Sequence, residues 1–275
     1  MLTIKKYTKS ALYLAALPLF LIVGLIVALI ARYWHSQDDK PRLVWGSTPL
    51  INNHYWSAAM KQAGYSSETF TESFFATINQ RSDWDKLLTE SYHWVPIRLR
   101  ALVAFIHSLL RYDAFFLSSD GFFIGRLPWL WRWQVPLLKL ARKKIIFIPY
   151  GSDSYVYRRV RNTAMAHGLM ISYPSFSQEQ DDIAARLDYW IKHADACISS
   201  TTGIDGFGRW TVATPSMLSL DLEMWQPSFR SNKADGRNGA VVLCHAPNHR
   251  GCKGTEFVIH AVEQLKAEGL QVNLL

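Results

Sequence analysis

Cysteine is scarce in this chain: Cys197, Cys244 and Cys252 are the only three in 275 residues. Three cysteines at these spacings do not build a disulfide framework, and they suit a reducing compartment. Several chemical signatures are missing as well. The sequence has no G-x-x-x-x-G-K-[ST] phosphate loop, no G-x-G-x-x-G dinucleotide turn and no G-x-S-x-G nucleophile elbow, which sets aside P-loop nucleotidases, ordinary dinucleotide enzymes and α/β-hydrolases. Acid is also in short supply, with 22 Asp and Glu against 30 Lys and Arg, a net charge of +8 and an isoelectric point of about 9.4. No recognised DNA- or RNA-binding motif accompanies that charge, so nucleic acid is not the expected partner. No internal repeat is present.

What the chain has is apolar sequence in runs. Residues 11–31 form an apolar stretch of about 21 residues, close to the ~20 that cross a hydrocarbon core as a helix. Lys5, Lys6 and Lys9 precede it, and Arg32, Tyr33 and Trp34 follow. Cations and aromatics at the two ends are the flanks of a membrane helix. The run is longer than a signal-peptide core and ends Leu29, Ile30, Ala31, Arg32 without a small-x-small site, which favours a retained anchor over a cleaved leader. The segments expected are a basic tail at 1–10 and a transmembrane anchor at 11–34. The charge balance across the anchor leans slightly toward a cytoplasmic amino terminus.

Beyond the anchor, short β-rich runs alternate with helical periods, as in a doubly wound parallel sheet. Strands are expected at 43–46, 67–71, 114–118, 144–148 and 196–199, and helices at 55–63, 95–110 and 181–194. Residues 126–144 mix Trp129, Trp131 and Trp133 with Arg and Lys. They read either as a turn resting on an anionic membrane surface or as a helix packing Leu137, Leu138 and Leu140 on the sheet. Residues 42–228 make the first globular domain, and the polar stretch 229–239 is the linker.

The last stretch, 240–275, carries the most chemistry. A strand is expected at 240–245, then a loop with Pro247, Arg250, Gly251, Lys253 and Gly254, then a helix at 255–268. Phe257, Val258, Ala261, Val262 and Leu265 recur there at helical spacing, Gly269 stands at the helix end, and a strand is expected at 270–275. A loop between a strand's carboxyl end and a helix's amino end presents backbone N–H groups and the positive end of the helix dipole to an anion. Cys244, His245, His249 and Cys252 fall within nine residues. They lack the paired C-x-x-C spacing of a zinc site, so no metal is expected. The glycines at 203, 206 and 208 read as a turn.

The loop residues His245, Pro247, Asn248, Arg250, Lys253 and Thr255 resemble the opening of the C-terminal domain in glycosyltransferase family 4, a retaining family of the GT-B superfamily. Tyr150, Gly151, Ser152 and Asp153 are similar to that family's glycine-serine-aspartate turn. Leu220, Asp221, Trp225 and Pro227 resemble the segment before its interdomain linker, and Trp45, Gly46, Asn52, Asn53, Tyr55 and Trp56 its first strand and loop. The resemblance implies a GT-B-like α/β fold: an N-terminal Rossmann-like acceptor domain, preceded by one transmembrane helix, and the first βαβ unit of a donor-binding domain. It implies a membrane-anchored transferase that moves a sugar from a nucleotide-diphosphate sugar to a lipid-linked or cell-envelope saccharide. A nucleotide sugar is then the substrate, with no metal and no resident cofactor.

On this resemblance Arg250, Lys253 and Gly254 hold the donor diphosphate. Gly46, Asn53, Gly151 and Asp153 line the acceptor side or cleft. Apart from the resemblance, Asp120 closes the strand at 114–118, where α/β folds place ligand-contacting groups, and reads either as the group that orients the acceptor hydroxyl or as a loop cap. The family's paired glutamates would follow Leu275, so a truncated second domain is expected. Bacterial members use cytosolic nucleotide sugars, which places the globular region on the cytoplasmic face of the inner membrane, opposite to the side the charge balance across the anchor favours. The alternatives are a non-enzymatic membrane-bound relative, an inactive fragment, or a different α/β nucleotide-binding enzyme.

Overall fold

The computed structural model describes residues 2–33, 39–76, 79–125, 127, 130–151, 154–200, 207–209, 211–214, 219–227, 234–247, 250 and 253–275, and in the first helix the side chains from Leu17 onward. The chain divides into two compact units, Met1–Tyr155 with Ile183–Leu220, and Val156–Asp182 with Asp221–Leu275.

The first unit opens with α1 (Leu2–Tyr33) and continues β1 (Leu43–Trp45), α2 (Ile51–Gln62), β2 (Ser67–Thr71), β3 (Lys86–Leu87), α3 (Leu88–Ser91), α4 (Arg100–Arg111), β4 (Ala114–Leu117), α5 (Gln134–Leu140) and β5 (Lys144–Phe147). The chain passes through α6 (Thr163–Ser172) in the second unit and returns with α7 (Gln180–His193), β6 (Ala196–Ser200) and β7 (Val212–Thr214). The seven strands lie in the order β3-β2-β1-β4-β5-β6-β7, and every neighbouring pair is parallel. The doubly wound, Rossmann-like expectation is met by this sheet. Its central strands are apolar along their length, as strands covered on both faces must be: Val44, Phe115, Ile145 and Phe147 are fully buried.

α2 starts at Ile51, four residues before the expected start at 55, and α4 starts at Arg100 rather than 95. Pro96 explains the second shift: proline disfavours helix in the residue before it, and the chain makes a turn before α4 begins. Residues 126–144 resolve in part toward the helix reading. Leu137 and Leu138 of α5 are fully buried, while Arg132 and Trp133 are exposed. Trp129 lies outside the described residues.

The expected anchor is helical throughout α1, and its later half is seated on the domain. The Phe20 ring meets Phe105 of α4 at 6.3 Å, and Ala28 and Ala31 are fully buried. Among the described residues no helix is long and apolar enough to cross a membrane.

The second unit holds α6, whose first turn is capped by Asn162 Oδ1 accepting from the Met165 N–H at 2.9 Å. It also holds β8 (Val241–Leu243), α8 (Thr255–Ala267) and β9 (Val272–Leu274), with β8 and β9 paired in parallel. Among its described residues Val156, Leu169, Val262 and Val272 are buried apolar side chains. Gly269 has φ +87°, the left-handed conformation its place after a helix calls for.

Candidate functional site

From β1 the chain winds toward β3, and from β4 it winds the other way toward β7. The connections after β1 and β4 therefore part company, and a crevice opens beyond their carboxyl ends, the place where open α/β sheets bind ligands. A cavity of about 240 Å³ lies there. Gly46, Thr48, Asn53 and Trp56 line it from the β1 side, Phe116 and Ser118 from β4, and Tyr150 from the loop after β5. Trp45 stacks on Phe116 at 3.7 Å and meets Trp56 at 5.7 Å, so aromatic rings back one wall. A smaller hollow of about 100 Å³ shares Thr48 with the cavity and is lined by Ser47, Glu72, Ser73, Asp120 and Phe123. Apolar ring faces beside a hollow with two carboxylates suit a ligand with a carbon-rich face and hydroxyl groups.

Asp120 is held in place by its own loop and by three neighbours. Gly121 adopts φ +67°, and a Cβ on Gly125 would stand 1.4 Å from the Asp120 carbonyl oxygen, so both positions need glycine. Ser47 Oγ accepts from the Phe123 N–H at 3.0 Å, Gln134 Oε1 accepts from the Phe122 N–H at 2.7 Å, and the Trp190 indole N–H donates to the Ser119 carbonyl at 3.0 Å. The Asp120 carboxylate accepts from Thr48 Oγ1 and from the Tyr150 hydroxyl, both at 3.4 Å. These are long bonds that a ligand hydroxyl can displace or join.

The strongly perturbed carboxylates lie elsewhere. Asp113, just before β4, is raised by burial but held down to about 2 by Arg42 and Lys143 together. Lys143 is itself buried, 3.1 Å from that carboxylate. Glu68 in β2 is pushed up by burial, yet hydrogen bonds from Arg111, Lys86 and Tyr112 outweigh it and hold it near 2. Asp113 sits at the amino ends of the strands, away from the crevice, and both carboxylates are fully engaged by cations. These are structural ion networks rather than proton-transfer groups.

In the second unit the loop after β8 leads into α8, whose first turn is buried at Thr255. Gly254 precedes the helix at φ +70°, and its carbonyl accepts from the N–H groups of Phe257 and Val258. His245 Nε2 lies 2.9 Å from Thr255 Oγ1. Lys253 is exposed. Arg250 is exposed too, and its guanidinium is bound by Glu256 at 2.5 and 3.1 Å. Arg250, Lys253 and Gly254 thus come together on one loop.

Around the crevice of the first unit the structure gathers Gly46, Asn53 and Asp120. Asn53 is buried and donates from Nδ2 to the Thr48 carbonyl at 3.2 Å, shaping the cavity wall as well as facing it. Gly46 faces the cavity, but its bare Cα first makes room for the end of β2. Gly151 has φ +150° beside Tyr150, and its carbonyl accepts from both the backbone and the hydroxyl of Ser154. Asp153 lies outside the described residues. Thr48, Glu72 and Tyr150 were not among the expected site residues; each stands just past a strand end, and that position was readable.

Among the described residues no group of three or more His, Cys, Asp or Glu is placed to hold a metal ion. His249 and Cys252 of the possible zinc set lie outside the described residues. Comparison with known proteins returns no matching family model, no matching curated protein and no matching solved structure.

Proposed function

We propose that the protein is a membrane-held retaining glycosyltransferase of the GT-B type, similar to family 4. It moves a sugar from a nucleotide-diphosphate sugar to a lipid-linked or cell-envelope saccharide, on the cytoplasmic face of a bacterial inner membrane. The observation that carries this reading is the β8–loop–α8–β9 unit. Its loop sets Lys253 and Arg250 ahead of a 13-residue helix, where charge and helix dipole add for an anion. As the bond from the sugar to the diphosphate breaks, negative charge grows on the diphosphate, and fixed cations there lower the barrier by stabilising the leaving group. The crevice of the first unit supplies the acceptor side. Asp120 orients the attacking hydroxyl, Thr48 and Tyr150 position Asp120, and the rings of Trp56 and Phe116 meet the apolar face of the acceptor.

The test is release of UDP or GDP from a panel of nucleotide sugars in the presence of a polyprenyl-linked saccharide, with the product's anomeric configuration read by NMR. Retention supports the reading, and inversion or no turnover with any donor contradicts it.

A second reading, a non-enzymatic relative that binds saccharide at the membrane, is favoured by one observation. The Arg250 guanidinium is already engaged by Glu256 through its Nε and Nη2 edge. Saccharide binding to the first unit without nucleotide binding would select it.

A further inference from the structure

We propose that α1 is a foot lying in the membrane surface, one edge seated on the domain and the other in lipid, rather than a helix that crosses the bilayer. This goes beyond the transferase reading and does not depend on it. The seated edge is Phe20, Gly24, Ala28 and Ala31, at the helical spacings that make one stripe. Phe20 meets Phe105 of α4, and a Cβ on Gly24 would stand 3.2 Å from Leu137 Cδ1 of α5. Small residues let the helix approach α4 and α5 closely.

Seating and spanning compete for the same residues. The seat takes 20–31, which leaves 11–19 of the apolar run, roughly 14 Å of helix at ~1.5 Å per residue. A hydrocarbon core is about 30 Å thick. With the seat made, the helix is too short to cross.

The opposite edge is Leu19, Ile22, Leu25, Ile26, Leu29 and Ile30, each between 44% and 67% exposed. A continuous apolar strip of this extent is more than a monomer normally shows to water. Its surroundings name lipid as the occupant. Before Asp38 the chain carries Lys5, Lys6, Lys9 and Arg32 and no acidic residue. An apolar face with cations of one sign matches an anionic bilayer surface, whereas a second copy would bring the same positive charge against it. Exposed Trp94 and Ile97, beside Arg98 in the turn before α4, add aromatic and apolar groups to the element on which α1 rests.

The experiment uses the full chain bound to sealed vesicles of phosphatidylethanolamine and phosphatidylglycerol. An impermeant maleimide is applied to Thr3→Cys in a Cys252→Ser background, with the exposed native Cys244 as reference. Both thiols are expected to label from the same side without detergent; labelling of one alone until detergent is added would overturn the proposal in favour of a spanning helix. In a Cys244→Ser, Cys252→Ser background, Gly24→Cys and Leu137→Cys are expected to form a disulfide on the vesicles, and failure to do so would contradict the seat. Ile22→Glu with Ile26→Glu should keep that disulfide and lower vesicle flotation at least tenfold. Unchanged flotation, or an intermolecular disulfide at Ile26→Cys on the vesicles, would remove lipid as the occupant.

Discussion

Gly46 passes so close to the end of β2 that a Cβ added to it would stand 2.0 Å from the carbonyl oxygen of Phe70. Neither partner can yield cheaply, because the clash is with backbone rather than the tip of a side chain. Gly46→Ala is therefore expected to destabilise the first unit by about 1–3 kcal/mol, as overpacking does. It should also distort the cavity wall that Gly46 shares with Thr48 and Asn53. Urea unfolding measures the first effect, and a stability equal to the parent's would mean that β2 is not held where it is described.

Asp120 separates chemistry from folding. Its loop is fixed by backbone and side-chain bonds that do not involve its carboxylate, so Asp120→Asn should unfold at nearly the parent temperature. Transfer should fall by on the order of 100-fold, as misplacement of a reacting group by about 1 Å can cost. Thr48→Val and Tyr150→Phe should each give a smaller loss in the same direction. A variant with full activity would return Asp120 to the role of a loop residue.

Stability should depend on pH through Glu68 and Asp113. Both are held near 2 in the folded chain, against ordinary values of 4.5 and 3.8. A depressed carboxylate contributes stability above its unfolded value and loses it as the pH falls through the folded one. The melting temperature is therefore expected to hold down to about pH 4.5 and to drop between there and about pH 2. Glu68→Gln should be less stable at pH 7 and show a flatter acid limb, and an unchanged acid limb would contradict the assigned network.

Glu256 is expected to restrain the diphosphate loop. Its carboxylate holds the Arg250 guanidinium and would repel a bound phosphate. Under the transferase reading, Glu256→Gln frees Arg250 and raises affinity for UDP or GDP by roughly threefold to tenfold, as removal of a nearby like charge does. Equal or weaker binding would place Arg250 outside the donor site.

The sheet was legible where strands are long and apolar. β4 and β5 match their expected starts, and α8 and Gly269 follow from the spacing of Phe257, Val258, Val262 and Leu265. β3 is only two residues long, too short to show an alternation, and β7 is largely exposed, so its residues carry little apolar signal. α6 places alanine, methionine, leucine and isoleucine around most of its circumference, and a helix without a polar face shows no period. At the candidate site Asp120 was readable from its place at a strand end. Thr48 reaches it through a loop whose path is set by a distant partner, Ser47 with Phe123. Such pairings across a fold leave no mark in local sequence. The seat of α1 on α4 and α5 was hidden for the same reason, since an apolar helix reads alike whether lipid or protein covers it.

Calorimetric titration of the protein with UDP and with GDP, beside Lys253→Ala, bears on the proposed donor site without intermediate assumptions. Loss of one charge-assisted contact to phosphate is worth roughly 1.5–3 kcal/mol, so the parent should bind one of the two nucleotides and the variant should bind it at least tenfold more weakly. Absence of binding to either nucleotide, or equal binding by parent and variant, would contradict a donor site at the loop between β8 and α8.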